Sequence, residues 1–305
     1  MPGAYAHITA VNVAKAKARG VLSNESMLAL GTKFQFAELG AVSPDYPYLG
    51  FGQGVWADQM HYKNTAALLR SGVEGVRKLT GSERQKALSW LLGVACHMTA
   101  DMTIHPIVEG IVGPYEQNKA AHRTCEMHQD AFIFPELKVG EVGLTKHLNT
   151  GIGSCGAPGN ALALDPTIKR LWLQMLKQSY PAAVAEVAVE PDPDKWHSGF
   201  CTILKTLRGA TALFPFARHV AANEGLLYPA PEQVSLEYVK NLKTPEGSMG
   251  YKVLFDRAVE NIIIVWQGIE AAVEGRSTFF IDNLENWNLD TGKAQSTGKY
   301  VFWRN

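Results

Sequence analysis

The sequence predicts an all-α protein, and three observations indicate this fold class. Hydrophobic residues recur at the spacing of helical turns along most of the 305 residues. No segment alternates convincingly between apolar and polar side chains, as a half-buried strand would. Histidines and carboxylates also recur four residues apart, and this spacing places side chains on the same face of a helix.

The N-terminal half contains five predicted helices that are separated by turn signals. They cover His7–Arg19, Glu25–Ala37 with a cap near Ser23 or Asn24, Met60–Gly72, Ser82–His105 and His122–Phe134. Pro44 and Pro47 prevent the second of these helices from continuing through the turn that follows it. Pro106 either ends the fourth helix or kinks it.

The C-terminal half contains a glycine-rich stretch and further helices. Residues 138–163 include six glycines and predict a long loop, which is either a lid or disordered. Helices are predicted over Pro166–Ser179, Trp196–Leu213 and Gly250–Glu274, and the last thirty residues form an extended tail or a hairpin. We therefore divide the chain into catalytic core helices (1–135), a glycine-rich loop and possible lid (136–163), supporting helices of the same domain (164–275) and a C-terminal tail (276–305).

The composition is that of a globular protein without a charge bias. Hydrophobic residues make up 46% of the chain, and 29 basic residues balance 29 acidic ones, so nothing favours nucleic acid or an anionic membrane as a general partner. The longest apolar stretches are too short to cross a bilayer, and the N-terminus lacks a signal-peptide pattern. The four cysteines form no CxxC pair. We expect a cytoplasmic protein with reduced thiols, and export without a cleavable signal is the alternative.

The most informative pattern is formed by His97, Asp101 and His105. On an α-helix each step of four residues drifts only about 40° around the axis, so the three side chains share one face. His122 and Glu126 repeat the same spacing. A buried imidazole or carboxylate without a partner is costly, and a divalent cation satisfies several at once. The two faces therefore predict halves of a metal site, with zinc as the metal and more than one ion.

Three upstream residues complete the set of candidate ligands. They are His7, Asp45 in a Pro-Asp turn, and His61, which begins a predicted helix. Taken singly, a histidine is more often a packed or surface residue than a ligand, and an Asp after Pro usually serves a turn. The order of the whole set carries the argument: His, Pro-Asp, His, His-x3-Asp-x3-His and His-x3-Glu.

This order resembles that of the zinc-dependent phospholipase C family. The family is related to the S1 and P1 single-strand nucleases and to the catalytic domain of glycosylphosphatidylinositol-specific phospholipase D. The similar segments are WLLGVACHMTADMTIHP, HRTCEMHQD and GAVSPDYPYL, and the resemblance covers residues 1 to about 135. The gap between Asp101 and His105 is shorter than in secreted bacterial phospholipases and resembles the glycosylphosphatidylinositol-specific branch better. The resemblance implies a multi-helix phospholipase C and P1 nuclease-like domain with a multinuclear zinc site between helices.

The resemblance also implies a ligand set for two or three zinc ions. One zinc would be held by Asp45, His61, His97 and Asp101, and a second by His105, His122 and Glu126. Asp101 would bridge to a third zinc, which His7 and the terminal amine and carbonyl of the chain would share. Removal of Met1 would make Pro2 that terminal ligand, whereas a chain that keeps Met1 is expected to hold two ions.

The implied chemistry is hydrolysis of a phosphodiester, because clustered zinc ions neutralise phosphate oxygens and lower the pKa of a bound water to about 7. Asp45 would be both a ligand and the general base. Tyr46 and Trp56 are candidate substrate-binding residues, since aromatic faces suit quaternary ammonium groups and nucleobases alike. The alternative is that these aromatics pack between helices. Asp130 is a candidate partner of a ligand histidine.

The leading functional hypothesis is a phospholipase C-like enzyme that cleaves a phospholipid head group and contacts the membrane peripherally. The alternatives are a single-strand nuclease or nucleotidase, disfavoured by the absence of a basic stripe, and a non-catalytic metal-binding protein. A phospholipase free in the cytoplasm would endanger its own cell. Export as an effector, a soluble phosphodiester substrate, and control by an inhibitory partner protein or by the 138–163 loop therefore stay open.

Overall fold

The computed structural model describes residues 3–137, 147–148, 150–186, 189–206 and 229–304. Across these ranges α-helices dominate, and the predicted all-α class is confirmed. The helices are α1 (Ala4–Lys17), α2 (Asn24–Thr32), α3 (Phe34–Val42), α4 (Gly54–Tyr62), α5 (Thr65–Arg77), α6 (Gly81–Val112), α7 (Lys119–Ile133), α8 (Pro166–Ser179), α9 (Pro181–Glu186), α10 (Pro193–Thr206), α11 (Tyr251–Val273) and α12 (Phe279–Asp282).

The other described elements are short. A 3₁₀ helix, Ser43–Leu49, contains the Pro-Asp turn. Three antiparallel strand pairs are formed by β1 (Gly156–Ala157) with β2 (Asn160–Leu164), β3 (Leu242–Thr244) with β4 (Gly247–Met249), and β5 (Trp287–Asn288) with β6 (Lys293–Ala294). The last pair shows that the chain end includes a small hairpin rather than only an extended tail.

Two predicted helices are each divided in the structure. The segment predicted as Glu25–Ala37 forms α2 and α3, because Lys33 leaves helical geometry with φ −128° and ψ 31°. The segment predicted as Met60–Gly72 divides at Asn64, whose φ of 47° lies in the left-handed region that asparagine tolerates. His61 therefore lies in the last turn of α4 and does not begin a helix. The predicted cap is confirmed at Ser23, whose side chain accepts the N–H of Ser26 at 3.1 Å.

The central helix α6 is longer than predicted, because it continues through Pro106 to Val112. Among the described residues, α6 is the one helix long and apolar enough by composition to cross a membrane. The mean hydropathy of its most apolar 18-residue window is 1.2, and that whole window is buried in the protein. The apolar stretch is thus longer than the sequence suggested, and its side chains contact other parts of this chain.

Helix α3 packs closely along α6 through two glycines. A Cβ on Gly93 would lie 2.1 Å from the carbonyl oxygen of Ala37, and a Cβ on Gly40 would lie 2.1 Å from that of Trp90. Any larger residue would push the two backbones apart. This contact places the C-terminal turn of α3 beside the polar face of α6.

The described parts of the chain share one apolar core. A continuous cluster of buried side chains includes residues from Ala4 to Trp303. Helix α11 packs on α6 and also contacts α1, so helices from both halves of the chain surround the central helix. The boundaries proposed at residues 135, 163 and 275 remain predictions.

Candidate metal centre

The eight predicted ligand side chains come together on the inner faces of several elements. They are His7 on α1, Asp45 on the 3₁₀ helix, His61 on α4, His97, Asp101 and His105 on α6, and His122 and Glu126 on α7. All are buried, and none exposes more than 3% of its surface. Burial of so many ionisable groups is costly unless they neutralise one another or bind a cation.

The side chains form two neighbouring groups. We call His7, Asp45, His61, His97 and Asp101 the first ligand cluster, and His105, His122 and Glu126 the second ligand cluster. In the first cluster, two sets of three have ligand atoms that all lie within 4.8 Å of one another: His7, His97 and Asp101, and Asp45, His61 and His97.

Asp101 lies at the centre of the first ligand cluster. Its Oδ1 is 3.2 Å from Nε2 of His7, and its Oδ2 is 3.3 Å from Nε2 of His97 and 3.7 Å from Nε2 of His61. The rings of His7 and His97 stack with their centroids 3.9 Å apart. One carboxylate thus faces three imidazoles, and this set of donors would suit a divalent cation.

Backbone carbonyls fix which nitrogen of His61 and His97 faces the cluster. Nδ1 of His61 donates to the carbonyl of Ala57 at 2.7 Å, and Nδ1 of His97 donates to that of Ala41 at 2.9 Å. A carbonyl only accepts hydrogen bonds, so each neutral ring carries its proton on Nδ1 and presents the Nε2 lone pair inward. The close packing of α3 on α6 is what brings the Ala41 carbonyl within reach.

These orientations fit a metal. The Nε2 atoms of His61 and His97 lie 3.4 Å apart, and two facing lone pairs repel each other unless a cation or a proton lies between them. Oδ1 of Asp45 is 3.5 Å from the same Nε2 of His61. Imidazole nitrogens and carboxylate oxygens without a thiolate are a donor set that zinc accepts. The residues of the first cluster therefore fit the predicted metal.

The charges within the first cluster keep the Asp101 carboxylate ionised. Burial lowers the pKa of His7 to about 4, and the neighbouring His97 contributes to this shift. Burial also opposes a charge on His97, but Asp101 and Asp45 outweigh it and raise the pKa of that imidazole. Burial disfavours the Asp101 carboxylate too, yet His97 and His105 hold its pKa well below the usual range. Asp101 therefore stays ionised, which is the form that binds metal.

The second ligand cluster is arranged differently. Oε1 of Glu126 accepts a hydrogen bond from Nδ1 of His122 at 2.9 Å and lies 3.7 Å from Nε2 of His105. Burial lowers the pKa of His122, so its ring is neutral at pH 7 with the lone pair on Nε2. In the described part of the chain, Nε2 of His105 and Nε2 of His122 are buried without a hydrogen-bond partner. Imidazole nitrogens and a carboxylate are donors that a cation would satisfy. Among the described residues, however, the sets of three donors within 4.8 Å of one another lie in the first cluster.

The C-terminal segment (residues 287–303) contacts both clusters, which the sequence patterns did not indicate. Nδ1 of His105 donates to the carbonyl of Leu289 at 2.7 Å, and the N–H of Leu289 donates to the carbonyl of His61 at 3.2 Å. Oδ1 of Asp290 lies 3.8 Å from Nδ1 of His105, and its Oδ2 accepts a hydrogen bond from the Tyr62 hydroxyl at 2.7 Å. Nothing in the local pattern around these residues distinguishes them from an ordinary turn.

Asp130 supports a ligand through the backbone of a helix. Its Oδ1 accepts the N–H of Ala6 at 2.9 Å, and a Cβ on Gly3 would overlap its Oδ2 at 1.8 Å. A carboxylate at this position satisfies an unpaired N–H and favours the positive end of the α1 dipole. It therefore holds the helix that carries His7, whereas the sequence had suggested a contact with a ligand histidine.

Tyr46 and Trp56 do not form an exposed mouth of the site. Both side chains are 0% exposed. The Tyr46 hydroxyl hydrogen-bonds with Nδ1 of His197 at 3.0 Å, and the Trp56 indole donates to the carbonyl of Val189 at 3.0 Å. Their placement matches the alternative in which these aromatics pack between helices, and neither presents a ring surface to a head group. The predicted terminal ligand Pro2 and residues 138–146 of the predicted lid lie outside the described residues.

Comparison with protein families identifies the chain. The model of the family described as zinc dependent phospholipase C matches residues 6–182, which is more than half of the chain and includes all eight candidate ligands. Comparison with curated proteins and with solved structures finds no match. The match confirms the family predicted from the order of the ligands. The chain belongs to the zinc-dependent phospholipase C family.

Proposed function

We propose that this protein is a zinc-dependent phospholipase C-like hydrolase that cleaves the head group from a phospholipid. The observation that carries the proposal is the first ligand cluster, in which oriented imidazole lone pairs and an ionised carboxylate converge in a buried space. The family match supports a hydrolase that acts on phosphodiesters. We extend this proposal to a phospholipid substrate, to roles for individual residues and to a content of two or three zinc ions.

The first cluster would hold zinc through its histidines, Asp45 and Asp101, and the second cluster would hold it through His105, His122 and Glu126. When bound, zinc neutralises phosphate oxygens and lowers the pKa of a coordinated water to about 7. The protein contributes fixed ligand orientations, and burial excludes competing bulk water from the ligands.

Asp45 is the residue we propose as general base. Its carboxylate belongs to the first cluster, and its backbone is fixed within a 3₁₀ helix that contains Pro44 and Pro47. A carboxylate held at this position can take the proton of the attacking water on one oxygen while the leaving alkoxide departs from phosphorus. The rigidity of the turn keeps the acceptor in place during this transfer.

An exposed aromatic residue supports a lipid surface as the site of action. Phe51 is 93% exposed and lies between Gly50 and Gly52, in the connection from the helix of Asp45 to the helix of His61. The Lys195 ammonium donates to the Phe51 carbonyl at 2.8 Å, so a cation lies at the base of this apolar tip. Such a pair suits the boundary between acyl chains and phosphate groups, where apolar groups insert and cations remain at the surface.

The test combines zinc analysis with three substrates. Purified protein is analysed for zinc and assayed on a chromogenic choline phosphodiester, on phosphatidylcholine vesicles and on a single-stranded oligonucleotide. We expect two or three zinc ions and hydrolysis of the choline substrates that a chelator abolishes. Cleavage of the oligonucleotide alone would assign the protein to the nuclease alternative. Protein that remains inert after zinc is restored would contradict a catalytic role.

A matched pair of substitutions tests the role of the lipid surface. Phe51→Ala is expected to lower vesicle hydrolysis by about tenfold, the effect of losing roughly 1.4 kcal/mol of interfacial binding. Hydrolysis of the soluble ester should not change. Phe279→Ala, which removes another exposed phenylalanine (76% exposed) on α12, should leave both rates unchanged. An equal loss on vesicles and soluble ester would contradict the proposed lipid contact.

A further inference from the structure

We propose that the C-terminal segment is a positioning element of the second ligand cluster, which holds the His105 imidazole with its Nε2 directed at Glu126. The inference rests on the proposed zinc site. It gives a role to residues 287–303, which lie outside the family match at residues 6–182.

The direct contact sets both the proton and the orientation of one ligand. The Leu289 carbonyl accepts from Nδ1 of His105 at 2.7 Å, which requires a proton on Nδ1 and, in a neutral ring, leaves the lone pair on Nε2. Asp290 lies behind the same nitrogen, with Oδ1 at 3.8 Å, and the Tyr62 hydroxyl holds its other oxygen. A carboxylate at this position strengthens the imidazole as a metal ligand.

Further contacts of the segment cover the turn of α6 that carries this ligand. Pro106 has no N–H and so removes the helical hydrogen bond to the carbonyl of Met102. Gly292 lies over that position, since a Cβ there would be 2.5 Å from the Met102 oxygen and 2.3 Å from Cγ of Pro106. The indole N–H of Trp303 donates to the Thr103 carbonyl at 3.0 Å. The segment therefore contacts this turn of α6 at the Met102 carbonyl, the Pro106 ring and the Thr103 carbonyl.

Loss of the contacts made by the C-terminal segment should weaken metal binding at the second cluster and leave the first cluster unchanged. The segment contacts His61 through the backbone, where the N–H of Leu289 donates to the His61 carbonyl. The His61 ring is oriented within its own helix by Ala57. Loosening the C-terminal segment thus frees the ring of His105 and leaves the orientation of His61 and His97 intact.

Two glycines provide a matched test. Gly292 and Gly298 both have φ of 67°, so alanine strains the backbone equally at either position. A Cβ on Gly298 meets nothing within 4 Å, whereas one on Gly292 strikes α6. Zinc is titrated against a competing chelator in full-length Gly292→Ala and Gly298→Ala. We expect Gly292→Ala to lose about 10- to 100-fold in affinity for one class of zinc, the range for outer-shell partners, and Gly298→Ala to match wild type. Equal affinities in the two variants would overturn the inference.

Asp290→Asn provides a second variant that preserves size and the hydrogen bond from Tyr62. With cobalt as the probe metal, we expect the absorption of one bound ion to change, with an affinity loss of about tenfold for that ion. If Gly292→Ala fails to fold, an unchanged spectrum and affinity in Asp290→Asn overturn the inference. These readouts need no turnover. A wild-type protein that binds zinc but hydrolyses no phospholipid would therefore remove the proposed function and leave the positioning role intact.

Discussion

The first and second ligand clusters contain the same kinds of donor atoms but differ in what orients them. In the first, His61 is held by a carbonyl of its own helix and His97 by a carbonyl of the neighbouring α3. In the second, His105 is held by a carbonyl 184 residues away in the sequence. Helical spacing thus decides which candidate ligands share a face. The carbonyl that fixes the ring nitrogen comes from the same helix for His61 and from distant parts of the chain for His97 and His105. This difference predicts that substitutions can lower the metal affinity of one cluster without affecting the other.

The largest expected effect is that of Asp101→Asn, which removes the charge at the centre of the first cluster. Asparagine keeps the shape of the side chain but is a poor zinc ligand, so zinc affinity of this cluster should fall by more than about 100-fold, beyond the range for outer-shell changes. Hydrolysis should fall with it. Glu126→Gln should instead lower the zinc affinity of the second cluster. Chelator titration of both variants is the measurement, and loss of all zinc from either one would show that the clusters form a single cooperative unit.

The next effect separates chemistry from metal binding within the first cluster. Asp45→Asn is expected to reduce turnover by about 10²- to 10⁴-fold, the usual contribution of a general base, while much of the zinc is retained. Zinc content and turnover of the soluble ester are measured on the same sample, so that loss of metal cannot be mistaken for loss of the base. Near-wild-type turnover would exclude Asp45 from this role.

The packing that orients His97 can be disturbed from a distance. Gly93→Ala places a methyl group against the Ala37 carbonyl, so α3 must shift away from α6 and carry the Ala41 carbonyl with it. We expect a loss of about 1–3 kcal/mol in the free energy of unfolding, as for other overpacked cores. Zinc affinity should fall at the first cluster only.

Gly110→Ala is the control for this change, because it lies on the same helix and its Cβ would meet nothing within 4 Å. It should stabilise the protein by up to about 1 kcal/mol through helix propensity. Urea unfolding of the zinc-free proteins measures the change in the free energy of unfolding for Gly93→Ala and for Gly110→Ala. Similar stabilities for the two variants would show that α3 and α6 adjust without strain.

These contrasts also explain how much could be predicted from the sequence. The spacing of His97, Asp101 and His105 is a local property of a helix, so it predicts their shared face. Helical periodicity along the chain predicts the fold class, and the order of all eight candidate ligands carries the resemblance to the family. The apolar pattern does not reveal the helix break at Asn64, because a single left-handed residue leaves that pattern intact. The sequence does not decide whether α6 continues through Pro106, because neighbouring segments determine whether a proline ends a helix.

The contacts that complete the site are long-range and could not be predicted from spacing. Leu289 acts through its backbone carbonyl, so the identity of its side chain carries no signal for this role. Tyr46 follows Asp45 directly in sequence, yet its ring packs beside His197 and not at the site. Adjacency along the chain does not fix the direction of a side chain on a 3₁₀ helix, whose successive residues point about 120° apart.

The smallest expected effect concerns Glu38 on α3. It lies one turn before Ala41, whose carbonyl orients His97. Glu38 is 3% exposed and accepts hydrogen bonds from Nε2 of His147 at 2.7 Å and from Nδ2 of Asn12 at 2.9 Å. The hydrogen bond with Glu38 raises the pKa of His147 above its ordinary value of 6.5, although partial burial opposes this. The His147 side chain is 25% exposed, so the pair should stabilise the fold by only about 1 kcal/mol.

The sign of the pH dependence follows from the raised pKa. The folded protein binds this proton more tightly than the unfolded chain, so the contribution is fully present below pH 6.5 and declines as pH rises through the folded pKa. The free energy of unfolding of wild type minus that of His147→Gln should therefore shrink with increasing pH. The ligand histidines titrate alike in both zinc-free proteins, so they cancel in this difference. A difference that stayed constant with pH would mean that a neutral hydrogen bond, and not an ion pair, holds this side of α3.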